Sequence, residues 1–287
     1  MVEMIQIVIP VAAVLIGSAA AYTQQSIPKQ ASFKTIAQTT SVINTDAGPV
    51  KYRVPRRYDN VTLKNYLVTT SHYGVQVKDG SHVTVDGGIW RHNGRPTKIS
   101  ASFAVGGGSM LTLRNVTAIG SYDPFLPVST KFKNTDGVMG AQRTTLVIEG
   151  GTFKNYWDAS IDTKANTTLK GIVTVEGSRV GLKDWGPLVG DTLVSRNPRD
   201  GHISCLASPA VTCNIHLKKL IAYDNDPNGL LVGFQGTNGV VRIDACELHV
   251  PASMRVQWIK RGVTGTNLIL GPTCVKDGKV VVAPRSR

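Results

Sequence analysis

The sequence predicts an all-β fold, a single right-handed parallel β-helix of about eight coils behind an N-terminal cap. Three observations lead there. Of 287 residues only 6% are aromatic and 18% charged, while Gly is abundant and Val, Ile, Thr and Asn recur in short alternating pieces. Strand-like segments repeat after Ser, Thr, Asn or Gly: "SHVTVDGG", "SMLTLRNV", "RTTLVIEGG", "NTTLKGIV", "GDTLVSRN", "CNIHLKKL", "GVVRIDAC" and "TNLILGPT". Their markers are Val83, Leu111, Leu146, Leu169, Leu193, Ile215, Val241 and Leu268, spaced 22–28 residues apart with one interval of 35.

A second, shorter piece precedes each marker: "GVQV", "FAV", "GVM", "SIDT", "VGLK", "HISC", "LLVGF" and "VQWI". Two strands per repeat at this period do not suit a sandwich, whose turns come every 8–12 residues or so. They suit stacked coils, in which like strands lie about 4.8 Å apart and inward aliphatics form one ladder, a rod of roughly 40 Å. The Gly run at 106–108 lacks a following Lys-Ser/Thr and a helix, so it reads as a turn between the two strands of a coil. The long interval before Leu146 ("SYDPFLPVSTKFKNT") marks a loop leaving the rod.

The coils occupy residues 61–275. Residues 22–60 read as a cap with a short helix and 276–287 as a tail. Residues 1–21 read as an export signal or a short membrane anchor: Ile5–Ile16 is apolar and Ala19–Ala21 offers a small-residue cleavage site. The apolar stretch over 4–21 lies near the lower length limit for a membrane span. Either reading puts the body of the chain outside the cytoplasm, secreted, periplasmic or at the cell surface. Cys205, Cys213, Cys246 and Cys274 suit that setting; of the three possible pairings, Cys205–Cys213 across a loop and Cys246–Cys274 one repeat apart are expected. No CxxC spacing points to zinc.

The net charge of +13 favours acidic partners. No Lys/Arg run with interleaved aromatics and no recognisable nucleic-acid module appears, so nucleic acid is not expected and an acidic polysaccharide is. Rods that bind long polymers suit a homotrimer.

Stacking turns equivalent positions of successive coils into neighbours. Aligning the short strands places Asp136 of "TDGVMG", Asp158 and Asp162 of "YWDASIDTK", Arg179, Lys183 and Asp184 of "SRVGLKDW", and Asp200 and His202 of "RDGHISC" on one face. Closely spaced carboxylates are what glycosidic hydrolysis requires, one protonating the leaving oxygen and the other activating water or attacking carbon. Asp136 and Asp158 are the expected acid/base pair and Asp162 their assistant. Arg179, Lys183 and His202 would bind substrate carboxylates, and Trp157 and Trp185 would stack on sugar rings. The three Asp oxygens could converge on calcium; no other cofactor is implied. The bland readings stand beside these. "NTDG" has the composition of a tight turn, the acids suit an ion-paired strand face, and the Trp rings suit core edges.

The coil pattern resembles the pectate-lyase-like superfamily of extracellular β-helices over most of residues 60–275. "NTDG" at 134–137, with Asp158 one coil on, is similar to polygalacturonase-like glycoside hydrolases, and that likeness implies a carboxylate site. Trp157 stands where the family's first Asp of a pair would be, and Ser178 and Arg179 stand at the place of its His. His202 comes one coil late, and Arg255 and Lys260 in "RVQWIK" only loosely match its basic motif. "DASIDTKA", "VGLKDWGP" and "PRDGHISC" resemble a group of poorly characterised exported bacterial β-helix proteins, with Asp162, Lys164, Trp185 and Gly186 at the matching positions; that likeness implies fold and export, not a reaction. Two functions follow as expectations: hydrolysis of an acidic polysaccharide, or non-catalytic binding of polysaccharide by an envelope or appendage rod.

Overall fold

The computed structural model describes residues 34–37, 42–44, 61–64, 67–70, 73–93, 99–122, 134–208, 211–276 and 279–280. The expected export or anchor segment, most of the expected loop over 121–135 and most of the expected tail over 276–287 lie outside them. The described residues form strands and no helix. An eight-stranded sheet runs Tyr73–Val77, Ser100–Val105, Thr135–Gly140, Ala159–Thr163, Val180–Asp184, Gly201–Cys205, Leu230–Phe234 and Arg255–Ile259. Each of these strands is parallel to the next. They contain the eight short pieces marked in the sequence. A sixteen-stranded sheet carries the marker strands, also parallel except for the closing pair Val275–Lys276 and Lys279–Val280. The architecture is consistent with a parallel β-helix or solenoid.

Three features differ from expectation. Lys34–Ala37 and Val42–Asn44, inside the segment read as a cap with a short helix, are strands; they pair in parallel with Val61–Lys64 and Leu67–Thr70 and so extend the stack. Each full repeat also holds three strand segments rather than two: Tyr73–Val77 is followed by His82–Asp86 and then Ile89–His92. In later coils the second and third segments run together, as in Thr145–Lys154, whose first half pairs with Met110–Arg114 and second half with Thr117–Ile119. The joint is a register shift at Gly150 and Gly151 (φ 71° and 107°), where a Cβ on Gly151 would stand 2.7 Å from the Val116 carbonyl oxygen.

The third difference is register. Val83, Leu111 and Leu146 stack directly, but the row continues through Thr167 and Leu188 to Ile215, Val241 and Leu268. Leu169 belongs to the row of Ile148, and Leu193 to that of Val173 and Leu220. All of these aliphatics still face inward and are buried.

Val75, Phe103, Val138, Ile161, Leu182, Ile203 and Val232 form one inward ladder across the eight-stranded sheet, none more than 1% exposed. Each such side chain contributes about 1.5–3 kcal/mol by leaving water, so the sheet that carries the charged face is held rigidly from beneath. The turn at Gly107 and Gly108 joins two strands of a coil, as the Gly run indicated. Disulfides join Cys205 to Cys213 and Cys246 to Cys274, the expected pairing.

Candidate functional site

Asp162 and Lys183 are Cα partners in adjacent strands of the eight-stranded sheet, so their outward side chains meet. Lys183 Nζ lies 2.8 Å from Asp162 Oδ2 and 2.8 Å from Asp158 Oδ2. Asp158, one residue ahead of its strand, is fixed through its backbone: its N–H donates to Thr135 and its carbonyl accepts from Val180. Its second oxygen is bound by Arg179 Nη2, while Asp162 Oδ1 accepts from Trp185 Nε1 at 2.9 Å. Four carboxylate oxygens on two acids therefore each have a donor, and Lys183 serves both acids.

Asp136 lies beneath this pair. It is fully buried, and its Oδ1 accepts from the Ala159 N–H at 2.9 Å, while Oδ2 has no hydrogen-bond partner. One oxygen from each of Asp136, Asp158 and Asp162 falls within 4.8 Å of the others. Burial pushes the Asp136 carboxyl well above the usual carboxylate range; the charges of Asp162 and Asp158 add to this, and Lys183 and the Ala159 N–H oppose it. Burial raises Asp162 as well, against Lys183 and the Trp185 N–H. Lys183 is raised even though burial alone would lower it, because Asp162, Asp158 and Asp136 surround it. Tyr73 is raised by its own burial and by Asp136.

Asp136, Asp158, Asp162, Arg179, Lys183 and Trp185 thus come together as coil stacking requires. Their contacts are mutual. Arg179 and Lys183 are already counter-ions to the acids. Lys183 Nζ also holds the position between Asp158 and Asp162 that a calcium ion would need, so the donor set does not fit a cation while that lysine stays.

Two expected sugar contacts require correction. His202 is 0% exposed and faces the interior, with Nδ1 2.8 Å from Ser195 Oγ and Nε2 3.3 Å from Asp224 Oδ2. Trp157 is 1% exposed and packs edge-on against Tyr122, so its faces are not available to a sugar. Asp184, aligned with the outward acids, is also inward, stacked between Thr163 and Cys205; burial raises its carboxyl well above the usual range, against the N–H groups of Gly186 and Trp185. Asp200 stays on the surface, 3.5 Å from Arg179 Nε.

Two cations to which the sequence alone assigns no binding role flank the cluster. Lys164 Nζ sits 4.5 Å from the centre of the Trp185 ring, and Arg199 Cζ 4.1 Å from that of Tyr122. Lys164 follows the strand Ala159–Thr163 and Arg199 precedes the strand Gly201–Cys205, so they lie at opposite ends of the sheet's short strands. Comparisons with protein-family models, curated proteins and solved structures match nothing.

Proposed function

We propose that this chain is an exported β-helix protein that binds an acidic polysaccharide without cleaving it, through the outer face of its eight-stranded sheet. The single observation that carries the reading is the pairing of Asp158 and Asp162 with Arg179 and Lys183. Glycosidases keep two carboxyls about 5–9.5 Å apart around the scissile bond, the wider spacing leaving room for water. Here one oxygen of each acid lies within 4.8 Å of the others, Asp136 is sealed from solvent, and an ammonium sits between Asp158 and Asp162. The stacked coils, read as a closed right-handed β-helix of about eight turns, would give a stiff surface matched to a linear polymer. The two disulfides support a destination outside the cytoplasm, and the charge of +13 supports an anionic partner.

One observation favours hydrolysis as a second reading. Burial pushes the Asp136 carboxyl well above the usual range beside two salt-bridged carboxylates, the kind of asymmetry that separates acid from base. The experiment for the first reading is equilibrium binding to acidic and neutral polysaccharides over a range of salt. Binding to an acidic glycan that weakens as salt rises supports it; no binding to any member of the set overturns it.

A further inference from the structure

The cations on this face fall into two groups. Arg179 and Lys183 are neutralised by Asp158, Asp162 and Asp200. Lys164 and Arg199 form no ion pair among the described residues; each is held instead over an aromatic ring. The distinction matters electrostatically. A carboxylate cancels the charge it positions, whereas a ring holds a cation by its quadrupole and leaves the net charge in place. Lys164 and Arg199 are therefore pre-positioned and still able to attract an anion.

Their surroundings add chemistry. Arg199 is half-buried, its Nη2 reaches the Trp157 carbonyl only at 3.5 Å, and no carboxylate pairs with it among the described residues, so the guanidinium keeps its charge for an anion. Tyr122, Trp157 and Arg199 form one cluster at the entry side of the strands. Trp185, anchored by its N–H to Asp162, forms the platform at the exit side together with Lys164. A strand of five residues separates the two ends by about 17 Å, with the self-neutralised acid cluster between them.

We infer that Lys164 on Trp185 and Arg199 on Tyr122 are the two contacts by which this face takes a polyuronate, its chain running along the short strands and its carboxylates meeting a cation at each end. This rests on the binding reading above and adds to it the residues, the uronate chemistry and the direction of the ligand. Arg179 and Lys183 act as positioning residues that hold the face in shape.

The test measures binding of polygalacturonate and of its fully methyl-esterified form to wild type, Lys164→Gln, Arg199→Gln and the double variant, with melting curves to establish folding. Lys218→Gln, which removes an exposed cation paired to Asp191 on the other sheet, controls for net charge. Each single variant is expected to bind polygalacturonate about tenfold more weakly, and Lys218→Gln within about twofold of wild type. The esterified polymer, lacking the charge, should bind as weakly to wild type as the acidic one does to the double variant. If wild type binds polygalacturonate and the Lys164 and Arg199 variants bind it equally well, this inference fails while the binding reading stands. If wild type binds no acidic glycan, both fail. Equal affinity for single-stranded DNA of the same charge would overturn the uronate assignment.

Discussion

Lys183 and Asp162 are register partners in adjacent parallel strands, and their ammonium and carboxylate meet at 2.8 Å with each side chain only 13–15% exposed. Like strands lie about 4.8 Å apart, so any two outward residues at equivalent coil positions become permanent neighbours. The same rule writes a charge ladder on the other sheet, where Arg114, Glu149 and Lys170 stack in successive coils with contacts of 2.6 and 2.9 Å. Those exposed pairs contribute little each. The Asp162–Lys183 contact differs because water is largely excluded.

Removing Lys183 should therefore be costly. Lys183→Met leaves Asp158 and Asp162 without their shared counter-ion, and urea unfolding should show a loss of about 3–5 kcal/mol. Adding Asp162→Asn to that variant should recover part of the loss. A Lys183→Met protein as stable as wild type would show that the network contributes nothing.

Asp136 gives a pH prediction with a definite sign. Its folded pKa is raised by burial and by Asp162 and Asp158, so the folded state binds its proton more tightly than the unfolded chain. The stabilisation is fully present below the unfolded pKa near 4 and is lost as pH rises through the folded value. Asp136→Asn, which keeps an acceptor for the Ala159 N–H, should gain stability relative to wild type as pH rises from about 4 to 8. The gain should be about 1.4 kcal/mol for every tenfold by which the folded carboxylate binds its proton more tightly than the unfolded one. A difference in urea midpoint that stays flat with pH would contradict it.

The two disulfides should contribute unequally. Cys246 and Cys274 are 28 residues apart, Cys205 and Cys213 only 8. On loop-closure entropy, replacing the first pair by Ala should cost about 1 kcal/mol more than replacing the second. Equal midpoints for the two variants would contradict this.

Core and surface aliphatics should separate cleanly. Leu182→Ala, at a fully buried position in the inward ladder, should cost about 2–5 kcal/mol in urea unfolding. Ile172→Ala, at a position 63% exposed, should stay within about 0.5 kcal/mol.

The same contrast explains what the sequence makes legible. The repeat of short apolar pieces locates all eight strands of the smaller sheet, because each needs an inward aliphatic. It hides the third strand of each coil, since segments such as Asn166–Glu176 run through the joint at Lys170 and Gly171 as one continuous strand. Asp136, Asp158, Asp162 and Lys183 are found by stacking alone. His202 is misplaced because alternation breaks within its short strand: in Gly201–Cys205 both His202 and the adjacent Ile203 are fully buried, and residue identity carries no sign of that break. Asp184 obeys alternation, two residues from the inward Leu182 and next to the outward Lys183, and is misplaced because alignment follows its charge rather than its parity. The placement of Lys164 and Arg199 over Trp185 and Tyr122 is missed for a different reason, since these aromatic partners lie 21 and 77 residues away.

On the proposed reading Asp158 and Asp162, paired with Arg179 and Lys183, are a structural element of a binding face above the buried Asp136, and one experiment decides whether these acids do chemistry instead. Reducing-end release from polygalacturonate and neutral polysaccharides would be measured for wild type beside Asp136→Asn, with binding recorded on the same samples. A binding face holds polygalacturonate, and neither protein releases ends from it. Release by wild type that disappears in Asp136→Asn would contradict this and establish Asp136 as the acid of a hydrolase.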